Sequence, residues 1–332
     1  MNSEQGGPIR WGFIGLGRMA ANVAGDWANQ RNGELHAVAS RSLERAEQFA
    51  SRFGAGKAYG SYAELLADPR VDAVYVATPH SVHARDGLAV IAAGKPLLME
   101  KAFTATLEGA QLLARAARDA KIFAMEAMWT RFQPAIVKAR ELIEEGAIGE
   151  VRTVHADLGV ARPVDASDRL FALELGGGTL LDLGVYVVNF AHMILGKPQR
   201  ITASGILGET GVDVESSLML EYDGGKTALL STSFLAPSPG YARVFGTQGW
   251  IDVPPRFHHP DRLVLHRAGA EAEELVLPPR GIGYAHEFDE VSAALGAGLT
   301  ESKVMPLQAS LEVQEVLQAA ADAIGVPLHE LE

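Results

Sequence analysis

The sequence predicts two domains of different class: a doubly wound α/β domain with a parallel sheet, then an α+β domain with an open sheet. Three observations support this. The chain has 332 residues, which suits about two domains of ordinary size. Its first third alternates short, mostly apolar strand patterns with helical patterns, as in a parallel sheet covered by helices. From residue 128 onward, alternating and β-branched runs dominate. We therefore place the domains at 1–127 and 128–332.

The first predicted domain alternates strands with helices. The strands are apolar on both faces, and the crossovers between them should be right-handed. We predict strands over 9–14, 35–39, 73–77, 96–99 and 122–125. We predict helices over 18–29, 43–53, 61–67, 82–93 and 106–119.

The second predicted domain has one large antiparallel or mixed sheet with helices on one face. Asp223-Gly224-Gly225 is a turn signal that predicts a hairpin between the strands on either side. Because the other face of the sheet needs a cover, we expect a homodimer or homotetramer formed through it. We predict strands over 150–159, 199–207, 213–222, 226–236 and 241–247, and helices over 133–146, 178–195, 285–297 and 307–324.

Composition excludes several classes of function. The formal net charge of −12 makes the chain a poor candidate for binding the phosphate backbone of nucleic acids. It contains no cysteine, which excludes disulfides, thiolate metal sites and cysteine nucleophiles. No run reaches the ~18 apolar residues of a membrane span, and residues 1–8 show no signal-peptide pattern. We expect a cytoplasmic protein without a membrane or nucleic-acid partner.

A glycine-rich turn links the first predicted strand to the first helix. Gly15, Gly17 and Ala20 form Gly-x-Gly-x-x-Ala, the sequence form of a dinucleotide-binding turn. The first glycine allows the tight turn, and the second lets the backbone approach a pyrophosphate at the helix N-terminus. We expect Gly15, Gly17, Arg18 and Met19 to bind this cofactor.

The end of the second predicted strand indicates which dinucleotide binds. An NAD site usually places an acidic residue there to bind the ribose 2′-hydroxyl. This chain has Ser40 and Arg41 instead, and a hydroxyl with a guanidinium suits the 2′-phosphate of NADP. Arg18 could add a second cation. In the alternative interpretation, Arg41 is a solvated loop residue and Glu44 binds the ribose of NAD.

Two further strand ends predict cofactor contacts. Thr78 and Pro79 follow the third predicted strand, at the edge of the sheet where dinucleotides bind, and His83 follows them. We predict no metal site, because His80 and His83 lack a third ligand. Glu100 and Lys101 follow a buried strand, where Glu100 could bind a ribose hydroxyl and Lys101 a substrate hydroxyl. A surface ion pair is the alternative for these two charges.

Another candidate group lies in the predicted helix over 178–195. Asp182 and Tyr186 are four residues apart, so they share one face of an α-helix. A phenol with an ordinary pKa near ~10 needs a nearby cation to act as an acid or base at neutral pH, and Lys101 is a candidate. Alternatively, Tyr186 is a core aromatic residue.

Trp129 and Arg131 follow the predicted domain boundary. They could line a pocket near the cofactor, and Arg131 could bind a polar substituent of the substrate. Arg162, in a later loop, is a weaker candidate for the same role. Ordinary packing is the alternative for all three residues.

Together these motifs resemble the glucose–fructose oxidoreductase / inositol dehydrogenase / rhizopine-catabolism family over nearly the whole chain. Within this family the chain is most similar to the dimeric dihydrodiol dehydrogenase subgroup. The family motifs occur in order at residues 15–17, 77–79, 93–96 and 100–101, and the subgroup motifs lie at residues 100–104, 126–132 and 181–186.

The resemblance implies a Rossmann domain, then a domain with an open, mostly antiparallel sheet that stacks in oligomers. It implies NADP or NAD and reversible oxidation of a hydroxyl on a sugar, cyclitol or cyclic trans-diol. Lys101 would orient the hydroxyl, Asp182 would assist, and Tyr186 would be the general acid/base. Many family members have Pro at the position of Ala102 and His at that of Tyr186, so inositol or glucose specificity does not transfer.

Two rival functions stay open from the sequence. A non-catalytic NADP-binding sensor on the same scaffold should lack the Lys101, Asp182 and Tyr186 set, which this chain retains. An enzyme acting on an imine or a keto-sugar nucleotide could have the same residues, because substrate shape is set in loops without a readable code.

Overall fold

A computed structural model of the chain describes residues 7–331 and confirms both predicted classes of sheet. Of the segment 1–8, predicted to carry no signal peptide, residues 1–6 lie outside the described part. The described chain forms two units. The first contains the residues up to Ala127, Arg280–Ser310 and the residues from Glu330, and the second contains Met128–Pro279 and Leu311–His329. The boundary predicted at 127/128 is a boundary between units, whereas two segments of 128–332 belong to the first unit.

The bounds of the main elements are close to those predicted. The strands are β1 (Ile9–Ile14), β2 (Gly33–Ala39), β3 (Lys57–Tyr59), β4 (Ala73–Val76), β5 (Leu97–Glu100), β6 (Ala124–Ala127), β7 (Val151–Gly159), β8 (Arg200–Leu207), β9 (Asp213–Tyr222), β10 (Lys226–Ser233), β11 (Ala242–Gly246), β12 (Gly249–Val253), β13 (Arg262–Arg267) and β14 (Glu273–Val276). The helices are α1 (Arg18–Gly25), α2 (Leu43–Phe53), α3 (Tyr62–Ala67), α4 (His83–Ala92), α5 (Leu107–Ala120), α6 (Pro134–Glu144), α7 (Val185–Leu195), α8 (Ala285–Gly296) and α9 (Leu307–Ile324).

The first unit contains a six-stranded parallel sheet in the order β3-β2-β1-β4-β5-β6. The strand order reverses direction between β1 and β4, which is the switch point where open α/β sheets bind ligands beyond their carboxyl ends. Side chains cap several helices as their sequences suggest. Ser42, Ser61 and Thr106 each accept a hydrogen bond from a backbone amide in the first turn of α2, α3 and α5.

The second unit contains an eight-stranded sheet in the order β14-β13-β12-β11-β7-β10-β9-β8. Its neighbours are antiparallel except β7 and β10. The hairpin predicted at Asp223-Gly224-Gly225 is confirmed, because Tyr222 pairs with Lys226 across β9 and β10. Strands β3 and β12–β14 were not predicted, because they are short and lie at or near sheet edges, where polar residues are common.

One face of this second sheet is covered by helices and the other is open. On β9, Leu218 and Leu220 are buried, whereas Met219 between them is 38% exposed. The helix α7 packs on the covered face, against β7 and β10. The stretch Leu173–Leu195 is long and apolar enough to cross a membrane, but 72% of its most apolar window is buried inside the protein. Such burial is typical of the core helix of a globular domain.

Candidate active site

The glycine-rich turn of the first unit has the shape of a dinucleotide site. Gly15 has φ +84°, and a Cβ there would lie 2.7 Å from the backbone of Ala77 and Thr78. Gly17 is different, because no atom lies within 4 Å of the place where its Cβ would be. Gly17 is also the N-cap of α1, which begins at Arg18, and no side chain caps the first amides of this helix.

These features fit the predicted cofactor. Free amides at a helix N-terminus bind phosphate oxygens. Beside the turn, the buried hydroxyl of Thr78 has no hydrogen-bond partner among residues 7–331. An orphaned buried hydroxyl is costly unless a ligand or water satisfies it. Gly15, Gly17, Arg18, Met19 and Thr78 would therefore hold the dinucleotide.

The predicted NADP-selecting pair, Ser40 and Arg41, lies at the carboxyl end of β2. The Ser40 hydroxyl accepts a hydrogen bond from the Ser42 amide at 3.3 Å, and Arg41 is exposed. The charge of Arg41 also reaches the half-buried Tyr62, where it opposes the increase in pKa caused chiefly by burial. Glu44 is exposed and accepts a hydrogen bond from Gln48 at 3.2 Å.

Glu100 is buried at the end of β5 and bonds to its neighbours. It accepts a hydrogen bond from the Tyr75 hydroxyl at 2.6 Å and one from the Lys101 backbone amide at 3.1 Å. Burial, reinforced by the Glu100 charge, raises the pKa of Tyr75 well above its usual range. Glu100 thus fixes the backbone from which the half-buried Lys101 side chain leaves.

His83, predicted near the cofactor, also holds this backbone, together with His80. Both ring nitrogens of the buried His83 lie 2.8 Å from carbonyl oxygens, those of Ala102 and Thr78. His80 Nε2 lies 3.2 Å from the Lys101 carbonyl oxygen. The His83 ring therefore bridges the backbone that follows β4 and the backbone that follows β5. A direct contact of His83 with a cofactor stays a prediction.

Two buried carboxyl groups of the first unit were not predicted from the sequence. Glu126, at the end of β6, accepts a hydrogen bond from the Phe103 amide at 3.0 Å. Glu287, on α8, is 1% exposed, and neither of its carboxyl oxygens has a hydrogen-bond partner among the described residues. Burial, with the nearby charge of Glu100, raises the pKa of Glu287 well above its usual range. Glu126 begins the subgroup motif at residues 126–132, whereas Glu287 lies outside the motifs named above.

In the second unit, Tyr186 follows an irregular helical turn. The predicted helix over 178–195 begins as a π-helical turn, Leu180–Gly184, before α7. Asp182 lies in this turn and Tyr186 in the first turn of α7, and their place on one helical face stays a prediction. Its carboxylate pairs with Arg169 at 3.1 Å. The Tyr186 hydroxyl accepts a hydrogen bond from the Trp129 indole at 3.2 Å.

A buried carboxylate anchors the start of this turn. Asp213 Oδ2 accepts hydrogen bonds from the Thr179 hydroxyl, from the Leu180 amide at 2.8 Å and from the Ser216 hydroxyl at 2.9 Å. A Cβ on Gly178, which has φ +108°, would lie 2.1 Å from Asp213 Oδ1. Burial raises the pKa of Asp213, and these hydrogen bonds oppose the increase. No sequence pattern predicted this anchor.

Arg131 is buried and bonded to α7. Its Nε donates to Asn189 at 2.7 Å, and its terminal nitrogen lies 3.2 Å from His192 Nδ1. His192 Nε2 lies 2.6 Å from Glu312. Burial and the charge of Arg131 lower the pKa of His192, and Glu312 partly offsets this. These contacts give Arg131 a structural role, and its binding of substrate or cofactor stays a prediction.

Aromatic rings surround the Trp129 and Tyr186 pair. The ring of His258 lies 4.9 Å from that of Tyr186, and the ring of His259 lies 5.2 Å from that of Trp129. The adjacent His258 and His259 are the sequence feature that could have indicated this cluster, and the cluster was not predicted. The backbone amide of Arg162 bonds to the Phe234 carbonyl at 2.9 Å, and a substrate contact of its side chain stays a prediction.

Comparison with known proteins gives consistent matches. Residues 9–127 match a family model described as "Oxidoreductase family, NAD-binding Rossmann fold", and residues 136–252 match one described as "GFO/IDH/MocA C-terminal domain". The trans-1,2-dihydrobenzene-1,2-diol dehydrogenase of Mus musculus is 37% identical over 330 residues, covering 96% of this chain and 97% of its own.

Two solved structures share the complete architecture. KijD10, a 3-ketoreductase from Actinomadura kijaniata crystallised with NADP and TDP-benzene, has a TM-score of 0.84 and 27% identity, with 98% of this chain and 99% of that chain covered. A levoglucosan dehydrogenase crystallised with NADH and levoglucosan has a TM-score of 0.87 at 21% identity, covering 96% and 97%, and supports the fold alone.

Proposed function

The chain belongs to the GFO/IDH/MocA family of oxidoreductases, and from this premise we propose that it oxidises a carbinol of a sugar, cyclitol or cyclic trans-diol with NADP. The protein is an NAD(P)-dependent oxidoreductase acting on hydroxyl groups. The observation that best supports the proposed chemistry is the Tyr186 hydroxyl held by an indole donor. No observation favours the sensor alternative.

The proposed reaction divides the work between cofactor and protein. When bound, NADP supplies the acceptor for the hydride that leaves the carbinol carbon, at nicotinamide C4. We propose that the Tyr186 phenolate takes the proton of the substrate hydroxyl and returns it in the reverse direction. Lys101 supplies positive charge to the developing alkoxide and to the phenolate. Asp182, held by Arg169, binds a second substrate hydroxyl.

The remaining predicted residues have proposed binding roles. We propose that the cofactor is contacted by Thr78, Pro79, His83 and Glu100. We propose that the substrate is contacted by Trp129, Arg131 and Arg162. The 37% identity to a diol dehydrogenase favours a cyclic trans-diol among the candidate substrates.

A substrate panel tests the proposed function. Purified protein is given NADP or NAD with aldoses, cyclitols, trans-1,2-dihydrobenzene-1,2-diol and other cyclic trans-diols, and formation of the reduced nicotinamide is followed by absorbance. We expect turnover with one of these classes. In Tyr186→Phe, we expect unchanged NADP affinity with turnover reduced by about 10³-fold. Full turnover in this variant would remove Tyr186 from the mechanism.

The choice of NADP rests on Ser40 and Arg41. A guanidinium binds a 2′-phosphate in a charge-assisted way that NAD cannot use. We expect Arg41→Ala to raise the KM for NADP by about 10-fold or more and to leave the KM for NAD nearly unchanged. Equal effects on both cofactors would contradict the assignment.

We also propose a homodimer or homotetramer, in the cytoplasm, formed through the open face of the second sheet. Met219 and Leu229 are 38% and 45% exposed on adjacent strands of this face. The double variant Met219→Glu, Leu229→Glu should lower the mass measured by sedimentation to that of a monomer. A wild-type protein that sediments as a monomer would refute the oligomer.

A further inference from the structure

Trp129 contacts the Tyr186 phenol through the one indole atom that can form a strong hydrogen bond. Its Nε1 lies 3.2 Å from the phenol oxygen. An indole N–H donates and cannot accept, so the phenol oxygen must accept this bond. The phenolic hydrogen therefore points away from Trp129. The contact thus sets the orientation of the hydroxyl as well as its position.

Several contacts hold the indole in this position. Trp129 is 7% exposed, and its carbonyl oxygen accepts a hydrogen bond from the Gln133 amide at 3.1 Å. The rings of His258 and His259 lie 6.0 and 5.2 Å from the indole. The neighbouring Thr130 hydroxyl donates to the His258 carbonyl at 2.8 Å. A donor enclosed in this way does not need to reorganise during a reaction.

We propose that Trp129 is a positioning residue, whose indole N–H aims the Tyr186 hydroxyl and favours its deprotonated form as the substrate proton leaves. A hydrogen bond donated to an oxygen becomes stronger when that oxygen is charged. The same bond therefore helps the phenol to exist as a base. This inference rests on the proposed function, because it requires Tyr186 to be the acid/base group.

Other titratable groups around Tyr186 must be separated from this effect. These groups lie in the helical segment that contains Tyr186, in the loop that pairs with this segment, and in the two stretches of chain beside it. In the second unit these groups are Asp182, Arg169, Arg131, His258 and His259. The proposed Lys101 charge adds to them. Trp129→Phe retains all of these groups, so its pH behaviour reports the lost N–H.

The direct test is an absorbance titration of the Tyr186 phenolate that needs no substrate. The Tyr186 signal is the difference between wild type and Tyr186→Phe, and the same difference is measured with Trp129→Phe in both proteins. We expect the midpoint to rise by about one pH unit without the indole, since a hydrogen bond to a charged group contributes about that much. An unchanged midpoint would overturn the proposal.

The kinetic test uses trans-1,2-dihydrobenzene-1,2-diol and NADP from about pH 6 to about pH 10. We expect Trp129→Phe to move the pH profile of kcat about one unit toward alkaline values and to change KM little. Trp250→Phe is the matched control, because Trp250 is 39% exposed and stacks on His266 in β13. A profile in Trp129→Phe that matches this control would contradict the proposal.

The failure of this inference and that of the proposed function can be distinguished. Full turnover in Tyr186→Phe refutes the proposed function, whatever Trp129 does. An inactive Tyr186→Phe with an unshifted phenolate titration in Trp129→Phe refutes only the role of Trp129. If Trp129→Phe does not fold, NMR of the indole N–H resonances replaces it. In Tyr186→Phe the Trp129 resonance should lose its hydrogen-bonded shift, and an unmoved resonance would overturn the proposal.

Discussion

The Lys101 loop (residues 100–103) and the Tyr186 segment (residues 176–186) are held in different ways. In the Lys101 loop, nearby residues bond to the backbone, and His80, His83 and Glu126 are only 19 to 23 positions from their partners. In the Tyr186 segment, the functional hydroxyl is itself bonded, by Trp129 from 57 positions away.

This difference predicts how Lys101 and Tyr186 should each respond to substitutions around them. Backbone hydrogen bonds fix where the Lys101 side chain begins, and its four-carbon stem is flexible, which suits a charge that must follow a substrate. A side-chain bond fixes the Tyr186 hydroxyl itself, which suits a proton transfer with strict geometry. Four variants, from the largest expected effect to the smallest, test this contrast.

Lys101→Met tests whether the Lys101 loop contributes chemistry. We expect kcat to fall by about 10³-fold, the usual loss when a charge that stabilises an oxyanion is removed. Cofactor affinity, measured by fluorescence titration with NADPH, should change little. Lys121→Met is the control, because Lys121 is exposed at the end of α5. A Lys101→Met enzyme with near wild-type kcat would show that the ordered loop is only structural.

Asp213→Ala tests the anchor of the Tyr186 segment. The variant leaves the buried Leu180 amide and two hydroxyls without their acceptor, so we expect a loss of about 3 kcal/mol in the free energy of unfolding. In Ser216→Ala only one of these bonds is lost, and about 1 kcal/mol is expected. Denaturant unfolding measures both variants. Equal losses would mean that Asp213 is not the centre of the network.

His83→Leu tests the ties of the Lys101 loop. The variant leaves the carbonyls of Thr78 and Ala102 without the imidazole, so the loop should become mobile. We expect kcat to fall by about 10-fold, less than for Lys101→Met, because the charge is still present. In His83→Gln the side chain can donate to one carbonyl and should recover part of this loss. If Gln and Leu behave alike, the hydrogen bonds are not what matters.

His192 should make the second unit sensitive to acid. Its pKa is lowered in the folded protein by burial and by Arg131, so the unfolded chain binds the proton more readily. The stability that neutral His192 contributes is therefore fully present above the ordinary histidine pKa of about 6.5 and is lost as the pH falls below it. Tm measured from about pH 8 to about pH 5 should fall less steeply in His192→Gln than in wild type. Parallel curves would contradict this small effect.

Most of the fold was predictable because it depends on local patterns. Strands β1, β2 and β4–β11 and the helices were expected within a few residues, since buried parallel strands and amphipathic helices have clear periodicity. The edge strands β3 and β14 have three and four residues and little apolar pattern, so only pairing with a neighbour defines them.

The candidate site was predictable only in part. The glycine turn and Lys101 directly follow strands. The order of elements along the chain is therefore enough to predict where they lie. Asp182 and Tyr186 were predicted in one α-helix, whereas Asp182 lies in a π-helical turn before α7. The carboxylate that binds the start of this turn, Asp213, is distant in the sequence and was not predicted.

By itself, the sequence determined the two classes of sheet, the dinucleotide turn and the positions of Lys101 and Tyr186 in their motifs. These features depend on side-chain periodicity and on residues adjacent in the chain. Tertiary structure alone decided that Trp129 donates to Tyr186, that Asp213 anchors the turn before it, and that Arg169 pairs with Asp182. These contacts join 13 to 57 positions across separate elements, and only packing brings such residues together.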